Sequence, residues 1–194
     1  MEKYLYLNEI NHAETWIKGG EIPIGMASKY KSELREGTKT PDENLIEQSN
    51  FPVAGLKPYG IDLDCPIYNS TFDLGPGLLV DVKEHYREDG RLLSFCNHFS
   101  EKTAMKFGNK KACVKILNIE KTKKKLDKRL GQMGIMKDCA YTDGHQRSHF
   151  LKSTKDAWQD EFRIFWNVHK SENISDDRLV EILPGTAELI WVFS

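Results

Sequence analysis

The sequence predicts an α+β domain of many short strands and few helices. Three observations lead there. Apolar residues alternate in short runs at 3–7, 110–119 and 162–168, as they do in half-buried strands. Helical spacing is confined to short stretches near residues 13–17, 102–107 and 121–133. Residues 27–60 hold many charges and few large apolar side chains, and read as one long polar loop with room for a helical turn.

The elements follow in order. KYLYL (3–7) opens as a strand, and Asn8 or Asn11 can cap a helix carrying Ala13, Trp16 and Ile17. Gly19-Gly20 ends it, and EIPIGM follows as a strand. After the loop, residues 61–77 continue irregular, and LLVDVKEHYRE reads as a short strand or helix. RLLSFCNHF (91–99) is a compact apolar run with the character of a buried strand. Ser100 can cap a short helix over Lys102 to Phe107. KKACVKILNI is a strand, KTKKKLDKRLGQM a basic helix or loop, and DCAYT a short strand. FLKSTKDAW leads into a strand over 162–168 with Phe162, Ile164 and Trp166 on one face. The tail places two apolar strands around a Pro-Gly turn.

With 194 residues, the chain fits a single domain, 1–194, with a sizeable core. Hydrophobic residues make up 39% and charged residues 29%, a composition that excludes disorder. A net charge of -1 excludes general electrostatic binding to nucleic acid and leaves only a local patch. No apolar run reaches the roughly 20 residues of a membrane helix, so no membrane partner is expected. MEKYLYLNEI lacks the order of a secretory signal, and the expected location is cytoplasmic. Cys65, Cys96, Cys113 and Cys139 are widely spaced and read as free thiols. Walker, GxGxxG and GxSxG motifs are missing, which argues against a P-loop NTPase, a Rossmann oxidoreductase and an α/β-hydrolase.

Five groups of residues are candidates for chemistry. Glu161 begins a core strand beside Asp160, Trp158 and Arg163. It reads either as a carboxylate facing a cleft or as a surface ion pair with Arg163 or a lysine. Ser94 sits in the buried run SFC, where its hydroxyl can hold a ligand or bond to backbone. Tyr4 and Tyr6 share a strand face, with Asn8 and His12 just after, and can stack on a flat ring or simply pack. The run at 121–129, with Lys121, Lys123, Lys124, Lys125, Lys128 and Arg129, is a solvated face or a phosphate-binding patch. Cys139, His145 and His149 offer zinc-binding residue types, yet DCAYTDGHQRSHF reads as loop and its spacing matches no strong template, so no metal is expected.

The order of "EIPIG", "LLSFCNHF", "MKFGNKKACVKI" and "FLKSTKDAWQDEFRI" resembles a group of bacterial proteins of unknown function. That group is similar in layout to the ADP-ribosyltransferase fold of nucleic-acid-modifying toxins in toxin–antitoxin and phage-defence systems. The resemblance implies a split, mixed sheet and NAD as substrate. It implies that Glu161 is catalytic, binding the ribose 2′-hydroxyl, stabilising the cation left as nicotinamide departs, and helping to deprotonate the acceptor. Tyr4 or Tyr6 falls where the family often has His or Arg. Ser94 falls on the Ser-containing middle strand. Lys29, Tyr30, Arg35 and Lys39 of the long loop would cover NAD and meet its pyrophosphate. RNA or DNA is the expected acceptor, with a protein acceptor and an antitoxin partner as further implications. The alternative is a non-catalytic nucleic-acid or protein-binding module of the same fold, and a third reading is a small zinc hydrolase.

Overall fold

A computed structural model describes residues 2–61, 65–168 and 177–193. In chain order the elements are β1 (Lys3–Leu7), α1 (Ile10–Lys18), β2 (Gly20–Met26), β3 (Leu45–Glu47), β4 (Ile67–Asp73), β5 (Leu79–Arg87), β6 (Gly90–Cys96), α2 (Glu101–Phe107), β7 (Ala112–Ile116), α3 (Ile119–Leu130), β8 (Ile135–Asp138), β9 (Ala140–Thr142), β10 (Leu151–Ser153), β11 (Glu161–Asn167), β12 (Arg178–Ile182) and β13 (Ala187–Val192). Short 3₁₀ turns cover Ala27–Tyr30, Val53–Tyr59 and Thr154–Gln159. The class is α+β, as the short strands and few helices predict.

The main sheet runs β12-β2-β6-β1-β7-β13, with β11 and β8 attached through β6. Alternation sorts its side chains. Phe162, Ile164 and Trp166 of β11 join Ala112, Val114 and Ile116 of β7 under α1 and α3. Cys113 points the other way, into a cluster with Tyr6, Cys96 and Phe107 beside α2. Burying each large apolar side chain contributes roughly 1.5–3 kcal/mol, so this core is the main source of stability. Trp166 is fully buried, and its indole N–H donates to Asp127 Oδ1 at 2.8 Å, so the ring is buried without an orphaned donor.

Several local expectations change. No side chain caps α1: its N-cap is Glu9, and Asn8 is occupied with Lys110 instead. Ser100 caps α2 as expected, accepting from the Thr103 N–H. The basic run is helix α3, capped by Asn118. DCAYT is not one strand; Cys139 separates β8 from β9. The tail strands flank the Pro-Gly turn but do not pair: β12 pairs with β2 and β13 with β7. Residues 27–60 are not one loop, since they include β3 and two 3₁₀ turns. Residues 61–77, of which 62–64 lie outside the described residues, include strand β4. β3, β5 and β4 form a second sheet over a small core of Val53, Leu56, Ile67, Val80 and Val82.

Gly90 lets β11 approach β6 at their common end. A Cβ there would lie 2.5 Å from the Phe165 ring and 2.5 Å from the Trp166 carbonyl oxygen. Gly90→Ala is therefore expected to cost about 2 kcal/mol by overpacking, measured by denaturant unfolding.

β6 fixes the position of the site. Along one edge it pairs with β11 throughout, Cys96 to Gly90 against Glu161 to Asn167. On the other edge it has two partners in turn. β2 meets it at Arg91 and Leu92, and β1 meets it at Cys96. Among the described residues, no strand pairs with that edge between Leu92 and Cys96. Every pairing in this sheet is antiparallel, not mixed, and the sheet splits between β1 and β2, where a cavity opens.

Candidate functional site at the sheet split

The cavity holds about 260 Å³. Tyr4, Leu5 and Tyr6 come from β1, Leu93 to Cys96 from β6, and Glu161 with Arg163 from β11. Tyr30, Thr38 and Gln159 form another wall, with Asn8, Phe107 and Lys110 completing the lining. Of the residues singled out in the sequence, Tyr4, Tyr6, Asn8, Tyr30, Ser94 and Glu161 therefore meet in one place. They come from four separated segments of chain.

Three residues expected to bind the cofactor lie away from this cavity. Lys29 pairs with Asp177 at 2.7 Å, and Arg35 is held by Asp42 and Asp156. Lys39 is exposed, and its backbone closes a turn with Glu36. None of the three lines the cavity. Their charges are used to fasten the polar segment or face solvent, while Tyr30 and Thr38 of that segment reach the site.

Glu161 is only 6% exposed. Both readings of it hold in part: it lines the cavity, and it is paired, but the pairs are buried. Lys152 Nζ donates to Oε2 at 2.8 Å, and Arg163 Nε donates to Oε1 at 2.8 Å. Arg163 continues the network with a two-pronged contact to Glu43, at 2.9 and 3.0 Å, and a bond to the His149 carbonyl. Burial alone would push the Glu161 carboxyl up. The charges of Arg163 and Lys152, with their hydrogen bonds, outweigh it and hold the group down at about 2. Held this low, the carboxylate is ionised at neutral pH and well suited to accept hydrogen bonds. A carboxylate has about four lone-pair sites, so each oxygen keeps one for a ligand.

Its neighbours fix its position. The Glu161 N–H donates to the Tyr141 hydroxyl at 2.8 Å, and Lys152 also donates to Gln159 at 2.7 Å. Asp160 takes the turn itself, in the left-handed region at φ 43, with its carboxylate accepting from Asn97 and contacting His98. Trp158 packs on Phe107, 4.9 Å between ring centres, under Lys106. Tyr6 is less available than its position suggests. Its hydroxyl donates to the Ser100 carbonyl and accepts from the Ser100 N–H, so only its ring can serve the cavity. Tyr4 and Ser94 are half-buried.

Glu43, Lys152, Gln159 and Tyr141 were not legible as site residues. Isolated charged residues in a sequence read as surface. The one available signal was the Glu-x-Arg spacing, which puts Glu161 and Arg163 on the same strand face.

The basic run does not share the site. Lys123 pairs with Asp127 at 2.5 Å, and Asp127 also accepts from Trp166 and the Gly134 N–H, so Lys123 supports the core. Arg129 pairs with Glu181. Lys124 and Lys128 are exposed and Lys125 is half-buried. None of these residues lines the cavity.

Cys139, His145 and His149 do not assemble into a metal-ligand group among the described residues. The His145 ring contacts the Ser49 carbonyl, and His149 stacks on Phe165 with 3.8 Å between centres. His149 Nε2 lies 3.2 Å from the Glu88 carboxylate. Burial pushes His149 down to about 4. The folded protein therefore binds this proton less readily than the unfolded chain. The resulting stability is present above about pH 6.5 and lost as pH falls toward 4. Between pH 7 and pH 4.5 this amounts to about 2 kcal/mol. Denaturant unfolding at the two pH values should show a correspondingly smaller loss for His149→Phe.

Among the described residues, no helix is long and apolar enough to cross a membrane. Comparison with family models, with curated proteins and with solved structures finds no match to this chain.

Proposed function

We propose that the cavity at the sheet split binds the nicotinamide riboside end of NAD, and that the protein transfers ADP-ribose to an acceptor, with RNA or DNA as the acceptor class. One observation carries this reading. The residues expected around NAD from the resemblance, other than the three loop cations, converge on one cavity with Glu161 at its wall.

In this reaction the bond between nicotinamide and ribose C1 breaks, and its electron pair leaves with nicotinamide. Positive charge develops on the ribose ring, and the acceptor then bonds to C1 and loses a proton to solvent. Glu161 accepts a hydrogen bond from the ribose hydroxyl and offers negative charge to the cation. The Lys152 and Arg163 bonds keep its oxygens in place, so little reorganisation is needed as charge develops. Aromatic rings of Tyr4, Tyr6 and Phe107 offer packing surface for the nicotinamide.

The test is incubation with NAD labelled in its adenosine half, together with total RNA, DNA and lysate protein. Label is expected in a nucleic-acid fraction with matching nicotinamide release. No nicotinamide release with any fraction would sink the reading, and label in protein would move the acceptor class. A non-catalytic nucleic-acid-binding module is the second reading, favoured by the exposed Lys124 and Lys128 on α3. It calls for steeply salt-dependent RNA or DNA binding that is lost when those lysines are neutralised.

A further inference from the structure

Asn8 and Lys110 line two cavities at once. One is the Glu161 cavity. The other holds about 610 Å³ and lies against α2 and the end of β13, with Met105, Gly108, Lys111 and Phe193 in its walls. We infer that the two cavities form one bipartite site for a dinucleotide, in which Lys110 binds the anionic linker and the second cavity takes the distal nucleoside. The inference rests on reading the first cavity as the nicotinamide site.

Charge points to Lys110. The other cation lining the first cavity, Arg163, is committed to Glu161 and Glu43. In the second, Lys111 is paired with Glu9 at 3.1 Å. Lys110 donates instead to a neutral group, Asn8 Oδ1, at 2.8 Å, and no carboxylate within ion-pair distance of it is found among the described residues. Burial lowers its pKa, the mark of an ammonium that has lost water without gaining a counter-ion. A phosphate group placed there would supply one, by charge-assisted hydrogen bonds.

Size and surface agree. The first cavity, at about 260 Å³, falls below the roughly 300–1,000 Å³ of sites that enclose a drug-sized ligand, so a dinucleotide has to continue beyond it. The second cavity, on the far side of the shared Asn8 and Lys110, offers exposed apolar surface. Met105 is 64% and Phe193 55% exposed, and both line the second cavity. Phe193 is held by its N–H to the Lys111 carbonyl and by edge contact with Trp191. A flat heteroaromatic ring has a partner there.

Calorimetric titration of the full chain with inorganic pyrophosphate, ADP, nicotinamide riboside and NAD tests the inference. Lys110→Gln should weaken ADP, pyrophosphate and NAD by about tenfold or more, and nicotinamide riboside, which lacks the linker phosphates, by much less. Lys110→Arg should recover most of the loss. Phe193→Ala should weaken ADP and NAD but not pyrophosphate. The inference is overturned if wild type binds neither ADP nor pyrophosphate, or if Lys110→Gln binds them as wild type does. Lys110-dependent binding of ADP and pyrophosphate without NAD cleavage would uphold the subsite and remove the transferase reading alone.

Discussion

Arg163→Met is expected to destabilise the protein by about 4 kcal/mol, the largest effect of any single substitution at the site. Arg163 is 2% exposed and satisfies two buried carboxylates and one carbonyl. Methionine fills similar space but leaves Glu43 without this partner and Glu161 with Lys152 alone. The wild-type contribution of Glu161 also gives the deficit a pH signature. Its folded carboxyl is depressed to about 2, so the stability it adds is present above the ordinary carboxylate value near 4.5 and lost as pH falls toward 2. The gap between wild type and variant should therefore be greatest above pH 4.5 and narrow in stronger acid. Urea unfolding at pH 7 and pH 3 measures both. A loss below about 1 kcal/mol at pH 7 would mean that the buried network does not hold the site together.

Glu161→Gln is expected to reduce NAD cleavage by at least about a hundredfold, the scale of losing one preorganised electrostatic contact to a transition state. It does not leave the fold untouched. Neutralising Glu161 leaves Lys152 buried without its counter-charge, at a cost of about 3 kcal/mol. Activity loss in this variant alone would mix the two effects. The pair Glu161→Gln with Lys152→Met separates them, because the remaining buried charges, Arg163 and Glu43, balance. Stability should recover in the double variant while NAD cleavage stays lost. If cleavage recovers along with stability, Glu161 is a structural anion and the catalytic role falls.

Parts of this arrangement were legible in the sequence for physical reasons. Two-residue alternation gave β1, β7 and β11, and it put Tyr4 with Tyr6 and Glu161 with Arg163 on common faces. The Ser100 cap marked α2. Compactness of LLSFC marked β6, the strand on which the split depends. The second sheet was hidden because β4 alternates weakly: Ile67 is its buried residue, and Tyr68, Asn69 and Thr71 are exposed. The loop cations misled for a different reason. Lys29 finds Asp177 and Arg35 finds Asp156 more than a hundred residues away, and no local pattern encodes such partners. Buried Glu43 and Lys152 were missed by the same logic, since only the folded chain brings them to Arg163 and Glu161. Lys110 was passed over as one of several lysines, and its position between two cavities is purely tertiary.

The central claim is that NAD sits in the split between β1 and β2. Hydrogen–deuterium exchange with and without NAD tests it most directly. NAD is expected to slow exchange in β1, around Tyr30 to Thr38, along Leu93 to Cys96 and at the start of β11, while α3 is unchanged. Protection confined to α3, or no protection anywhere at saturating NAD, would contradict it.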